Sequence, residues 1–223
     1  MLYFRGCTAR QKETDISKAT QKLLDLADVD YHILDDEKCC GSVLLRTGFE
    51  KEAKYQIAKN MESFGDETII TSCAGCYKTL LQDYEGLDVM HISELLNKLI
   101  DEGKLKFNKK NLNVTYHDSC HLGRHCHVFN EPREVINSLA NLIEMKNIKD
   151  DSLCCGAGGG VKSAYPRIAS KLADARIIQA KDTGCETLIT SCPFCKLNLK
   201  DHGLEVLDLT EFLLEYGWNN ERE

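Results

Sequence analysis

A cysteine pattern written twice constrains this chain more than anything else in it. The chain has 223 residues and 12 cysteines, and ten of those cysteines follow one order in two copies. The first copy runs Cys7, then Cys39-Cys40-Gly41, then Cys73-Ala74-Gly75-Cys76. The second runs Cys120, then Cys154-Cys155-Gly156, then Cys192-Pro193-Phe194-Cys195. Corresponding cysteines lie 113 (7 to 120), 115 (39 to 154) and 119 (73 to 192) positions apart. Drift that small over three anchors marks a duplicated unit with short insertions. Each unit offers five thiols from three separate stretches of chain.

Secondary-structure periodicity predicts where those stretches sit. Residues 15–27 carry Ile16, Ala19, Leu23, Leu24 and Ala27 at helical spacing. Residues 49–64 read as a second helix, residues 76–84 as a third, and one more opens near Ser93. Short apolar runs at 2–4, 31–34, 68–71 and 89–92 read as strands. The second half repeats the order, with strands at 114–117, 142–145, 187–190 and 206–209. Its helices open near Pro132, cover 164–182, follow Cys192-Cys195 and end the chain at 210–216. Strands alternating with helices predict an α/β fold of two similar βαβ, Rossmann-like halves with parallel sheets. The expected division is residues 1–101 and 113–216, with 102–112 a polar, solvated linker and 217–223 a frayed tail. Cysteines then fall on loops at the carboxyl ends of strands, where open α/β sheets bind ligands. The duplication predicts two such sites facing one another across a pseudo-twofold axis.

Bulk properties narrow the chemistry. A formal net charge of −7 argues against nucleic acid as the main partner. The amino-terminal residues show no secretory signal, and no apolar run approaches a membrane span. A cytoplasmic protein without membrane insertion is expected, in which thiols stay reduced and clustered cysteines point to metal or redox chemistry.

Ten thiols admit three readings. Structural zinc takes four ligands, so five cysteines per unit leave one over. Dithiol chemistry at Cys192-Pro193-Phe194-Cys195 leaves Cys120 and the Cys154-Cys155 pair without a task. Five thiolates from three loops suit an iron–sulfur cluster less regular than a four-cysteine cubane. Gly41, Gly75, Gly156 and Gly158 are the candidates for letting the backbone approach such a group.

Both units resemble the cysteine-rich CCG domain: a lone cysteine, a Cys-Cys-Gly some thirty residues on, and a Cys-x-x-Cys after a similar gap. Tandem copies occur in heterodisulfide reductase subunits and in iron–sulfur subunits of 2-hydroxy-acid dehydrogenases. The stretches Tyr3-Phe4-Arg5-Gly6-Cys7, His117-Asp118-Ser119-Cys120-His121-Leu122-Gly123-Arg124 and Cys154-Cys155-Gly156-Ala157-Gly158-Gly159-Gly160 look most like the carboxy-terminal part of the D-type heterodisulfide reductase subunit. The resemblance implies two noncubane [4Fe-4S] clusters that cleave the small disulfide CoM-S-S-CoB. Cys7, Cys39, Cys40, Cys73 and Cys76 would hold one. Cys120, Cys154, Cys155, Cys192 and Cys195 would hold the other. No C-x-x-C-x-x-C-x-x-x-C-P run and no G-x-G-x-x-G fingerprint are present, so electrons are expected from a ferredoxin-like iron–sulfur subunit, with a flavoprotein as a further partner. The alternative is an iron–sulfur electron-transfer subunit of a flavoprotein lactate or glycolate dehydrogenase.

Outside the pattern, His117, His121, His125 and His127 crowd the segment around Cys120. His121 and Arg124 are the candidates for holding an anionic substrate or protonating a departing thiolate. Arg5 holds a place similar to that of Arg124 in the first repeat. Cys126 and Cys185 have no counterpart in the other repeat and read as small buried hydrophobes. Cys126, flanked by His125 and His127, also offers an accessory ligand.

Overall fold

The computed structural model describes residues 1–218. Its first half runs β1 (Leu2–Tyr3), α1 (Cys7–Gln11), α2 (Thr14–Leu26), α3 (Ser42–Arg46), α4 (Glu50–Met61), β2 (Ile69–Thr71), α5 (Ala74–Asp83), β3 (Val89–His91) and α6 (Ile92–Asp101). Its second half runs β4 (Asn113–His117), α7 (Gly123–Cys126), α8 (Asn130–Leu139), β5 (Asn141–Leu142), a 3-10 turn at Lys149–Asp151, α9 (Val161–Ala164), α10 (Pro166–Lys181), β6 (Thr187–Thr190), α11 (Pro193–Leu199), β7 (Glu205–Asp208) and α12 (Leu209–Gly217). Six helices of one half answer six of the other in order. Both sheets are parallel, ordered β1-β2-β3 and β5-β4-β6-β7. The chain is thus an α/β protein of two similar βαβ halves.

The expected strand at 31–34 is not one. It reduces to a single parallel bridge between Leu2 and His32, made by Tyr3 N–H donating to the His32 carbonyl at 2.8 Å and His32 N–H to the Met1 carbonyl at 3.0 Å. That bridge stands where β5 stands in the other sheet, so the topology is the same and only the ladder is shorter. The central strands β2 and β6 are buried along their whole length. Helices cover both faces of a parallel sheet, which is why these strands read as unbroken β-branched runs.

The halves share their cores. One apolar core joins Ile70 and Leu96 to Ile136, Ile189 and Phe212. The other joins Leu2, Ile69 and Leu80 to Leu188 and Leu199. Each such side chain contributes roughly 1.5–3 kcal/mol by leaving water, so the halves hold together through the same burial that folds them. Helix α6 packs on α8, and α12 packs on α2. Because α2 answers α8 and α6 answers α12, this is one contact made twice, the signature of a pseudo-twofold axis. Tyr3 and Tyr116 repeat it at atomic detail: their hydroxyls bind Ser72 at 2.9 Å and Ser191 at 3.2 Å.

The segment joining the halves is not wholly solvated. Lys104, Lys106 and Lys109 are exposed, but Leu105 is buried and Phe107 packs on the shared core. A Cβ on Gly217 would come within 2.5 Å of the Phe107 ring, so Gly217 closes α12 instead of starting a tail. The rest of the expected tail, residues 219–223, lies outside the described residues.

Both final helices open with a capping box, His91 with Glu94 in α6 and Asp208 with Glu211 in α12. Asp208 is fully buried; its Oδ1 accepts from the Thr210 amide at 3.0 Å and hydroxyl at 2.8 Å, while Oδ2 has no hydrogen-bond partner among the described residues. Burial pushes its carboxyl up to about 8. The unfolded chain loses this proton near pH 4 and the folded chain keeps it to about pH 8. Asp208 therefore makes stability fall as pH rises between those limits and adds no slope above them. Asp208→Asn keeps the cap and is expected to flatten thermal melts across that window.

Candidate metal centre

The duplicated fold delivers the cysteines in pairs of equivalent places. Cys7 opens α1 just after β1, and Cys120 lies in the turn after β4. Cys39-Cys40 and Cys154-Cys155 lie in loops before α3 and α9. Cys73 and Cys192 are the residues before α5 and α11, with Cys76 and Cys195 in their first turns. At a helix start, free amides favour thiolate over thiol.

All ten cysteines line one cavity of about 370 Å³ between the halves. Their side chains form an unbroken row. Cys7 Sγ lies 3.9 Å from Cys39 Sγ, and successive contacts run through Cys40, Cys76 and Cys73 to Cys192, then Cys195, Cys155, Cys154 and Cys120. The row reads the same from either end, and Cys73 meets Cys192 at its middle. Each quintet comes from its own repeat.

The thiols perturb one another strongly. Cys40 beside Cys39 and Cys76, Cys192 beside Cys195 and Cys73, and Cys154 beside Cys120 and Cys155 are each held well below the usual thiol range by those neighbours, Cys154 at about 2. Cys7, Cys39, Cys73, Cys76, Cys120, Cys155 and Cys195 are pushed up, chiefly by the thiols next to them and also by burial. Neighbouring thiolates repel, so all ten become anionic together only with positive charge among them. The donor set is soft sulfur throughout, which suits iron–sulfur clusters and other thiophilic metals. His117 joins it: a ring nitrogen and the Cys155 and Cys195 sulfurs lie within 4.8 Å of one another, all buried.

The expected glycines divide into two kinds. Gly75 and Gly158 are on the cavity wall. Gly41 and Gly156 are not; each takes a positive φ (85° and 90°) just after the cysteine pair. There the Gly41 amide donates to Cys39 Sγ at 3.5 Å and the Gly156 amide to Cys154 Sγ at 3.3 Å. The closest approach belongs to Gly6, which the motif reading passed over. A Cβ on Gly6 would lie 2.8 Å from Cys76 Sγ, and its φ is 77°. The visible signal was a glycine directly before the lone cysteine.

His121 is on the wall beside Gly75, and burial pushes its imidazole below its ordinary value, so it is held neutral. Arg124 is not on the wall. Its guanidinium donates to the Asp150 carbonyl at 3.0 Å and the Ser152 carbonyl at 2.6 Å, bracing the loop that leads to Cys154. Arg5 is likewise engaged, with Glu37 at 3.2 Å. The cations that do line the cavity are Arg46, held by Asp83 at 2.9 Å, and Lys12. Cys126 and Cys185 lie off the wall; burial pushes the Cys126 thiol up to about 11, which disfavours its free thiolate. Among the described residues no helix is long and apolar enough to cross a membrane.

Known proteins are similar to this chain. The cysteine-rich CCG domain matches twice, at residues 1–81 and 114–200. The chain is 39% identical over 218 residues to the D-type subunit of the dihydromethanophenazine:CoB--CoM heterodisulfide reductase of Methanosarcina acetivorans, covering 90% of this chain and 53% of that protein. It is 38% identical over 204 residues to a fumarate reductase (CoM/CoB) subunit of Methanothermobacter marburgensis, covering 89% of this chain and 41% of that one. It is 34% identical over 219 residues to EtfAB:quinone oxidoreductase of Syntrophomonas wolfei, covering 90% and 31%. The chain spans about half or less of the length of these relatives. They are oxidoreductases or parts of them, which fits an iron–sulfur redox module. On its two matched copies and the ten cysteines they bring together, the chain belongs to the family of cysteine-rich CCG domains.

Proposed function

We propose that this chain is the catalytic cluster-bearing module of a heterodisulfide-reductase-type enzyme. Cys7, Cys39, Cys40, Cys73 and Cys76 hold one noncubane [4Fe-4S] cluster, and Cys120, Cys154, Cys155, Cys192 and Cys195 hold a second. A small disulfide is cleaved in the cavity between them, with electrons from a ferredoxin-like partner subunit. The observation that carries this reading is the unbroken row of ten thiols along one cavity, five from each repeat.

Bound iron–sulfur clusters would supply single electrons and iron sites soft enough to take a sulfur atom. Cleaving a disulfide consumes two electrons and two protons and yields two thiols. The chain's own residues provide the rest. The clusters and the disulfide would share one cavity lined by both quintets. Arg46 and Lys12 bring positive charge to the wall and favour a substrate with acidic groups. His121, on the cavity wall, is the residue assigned to relay a proton to a departing sulfur.

Anaerobically purified protein is expected to carry about eight iron and eight sulfide per chain; zinc without iron sinks the reading. Saturating CoM-S-S-CoB is expected to change the paramagnetic signal of the oxidised protein. Iron-loaded protein that ignores the disulfide would belong instead to the electron-transfer subunits of flavoprotein dehydrogenases.

A further inference from the structure

The two repeats do not surround their sulfurs alike. In the second repeat His117 closes β4, is 1% exposed, and groups with Cys155 and Cys195. Its Nδ1 accepts from Arg176 Nε at 3.0 Å. An arginine only donates, so the ring proton sits on Nε2. That Nε2 is buried with no partner among the described protein atoms. Arg176, from α10, is fully buried, and its other hydrogen bonds go to the Asn147 carbonyl and Gln179 Oε1, both at 2.8 Å. All its acceptors are neutral.

In the first repeat the same two places hold Phe4 and Asn60. Phe4 follows Tyr3 as His117 follows Tyr116, the two tyrosines that bind equivalent serines. Asn60 comes seven residues after Ala53, whose carbonyl faces Gly41; Arg176 comes seven after Ala169, whose carbonyl faces Gly156. Where the first site has a phenyl ring and an amide, the second has an N–H donor backed by a buried cation.

Other charges nearby are matched. Asp118 is bound by Arg133 at 2.7 and 2.8 Å, and Arg133 by Glu144 at 2.6 Å. Lys196 is bound by Glu211 at 2.6 Å and Glu13 at 3.4 Å. In the first repeat Arg5 is bound by Glu37 at 3.2 Å. Arg176 is the imbalance.

We propose that the two metal sites are electronically unequal. His117, oriented by Arg176, donates its Nε2–H to sulfur at the Cys155–Cys195 end of the second site and makes that site the first to be reduced. This rests on the cluster assignment above. Reduction adds an electron, and so negative charge, to the group these sulfurs hold; a hydrogen-bond donor and a low-dielectric cation both favour the more negative state. One electron enters, supplied by a low-potential reductant, and no covalent bond forms or breaks. His117 is a positioning and tuning residue that acts through the sulfurs.

The test is an anaerobic redox titration followed by paramagnetic resonance, on protein whose iron and sulfide have first been counted. Wild type is expected to reduce in two separable one-electron steps. His117→Phe and Arg176→Asn install the residues that the first repeat carries. Each should lower the reduced-to-oxidised ratio of the higher step, at the wild-type midpoint, by about tenfold, or about 59 mV for one electron. His117→Gln keeps an N–H donor and should retain most of the wild-type midpoint. A nitrogen coupling from the imidazole is expected on the higher-potential signal of wild type, which reads the same contact where a variant fails to load. Fully loaded variants with unchanged midpoints, a single midpoint for both sites in wild type, or no such coupling would overturn the inference while leaving the clusters in place. Iron-free wild type overturns the cluster assignment, and this inference with it.

Discussion

Cys155→Ser is expected to lower bound iron from about eight to about four atoms per chain, Cys40→Ser to do the same, and the double variant to retain almost none. Cys155 and Cys40 hold the same place in the two repeats, both are buried, and each bridges two thiols of its own quintet. A serine hydroxyl is a hard, neutral donor in place of a soft thiolate, so the substitution removes a metal–sulfur bond with little change of volume. Removing a supporting contact to a metal ligand already costs 10–100-fold in affinity on typical experience, and a ligand itself costs more. The loss stops at half because all five sulfurs of a quintet come from one repeat. Iron and sulfide assays on each purified variant, with circular dichroism to confirm the fold, check this. A single substitution that strips all the iron would mean that the Cys73–Cys192 contact at the middle of the row is part of one shared inorganic unit, and the two-cluster assignment would fall.

The duplication was legible because cysteine spacing survives insertion: three anchors drifting from 113 to 119 suffice to align the halves. Strands β2 and β6 were legible because a central parallel strand needs apolar, β-branched residues on both faces. Residues 31–34, Tyr-His-Ile-Leu, read as a short strand-like run, yet among them only His32 makes backbone hydrogen bonds of the strand kind. A short edge segment reads as a strand in sequence whether or not its ladder forms. The connector carried four lysines and read as solvated, but one buried leucine and one phenylalanine tie it to the core.

At the site the sequence told residue type and not direction. Arg124 and His121 are three positions apart, yet only His121 faces the cavity. Gly123 lies so close to the Phe129 ring that a Cβ there would sit 2.5 Å from it, and this packing turns the short helix α7 so that Arg124 meets the 150–152 loop. Arg46 was passed over because nothing in its neighbourhood marks α3 as a wall of the cavity. His117 was one of four histidines in a crowded segment. What singles it out is Arg176, 59 residues away in sequence and bonded to it.

Gly156→Ala is expected to destabilise the protein by about 2–5 kcal/mol, and Gly41→Ala by about 1–2 kcal/mol, although both glycines close the same Cys-Cys-Gly motif. Both sit in the left-handed region, with φ of 90° and 85°, so an alanine at either costs about 1–2 kcal/mol in backbone strain. They differ in what a Cβ meets. At Gly41 the nearest atom is the Ala53 carbonyl oxygen at 3.9 Å, an ordinary contact. At Gly156 the Ala169 carbonyl oxygen would be 2.7 Å away and Leu172 Cβ 2.8 Å away. Neither is the free end of a flexible side chain, so α10 must move or the turn must open, at about 1–3 kcal/mol more. The sum is a large share of the 5–15 kcal/mol that holds a typical domain together. Movement there carries the Gly156 amide away from Cys154 Sγ, so Gly156→Ala should lose iron from the second site as well as stability, while Gly41→Ala keeps its cluster. Denaturant midpoints and iron content measured side by side test both halves of the expectation; equal destabilisation by the two alanines would show that the α10 contact is soft and that backbone conformation alone sets the cost.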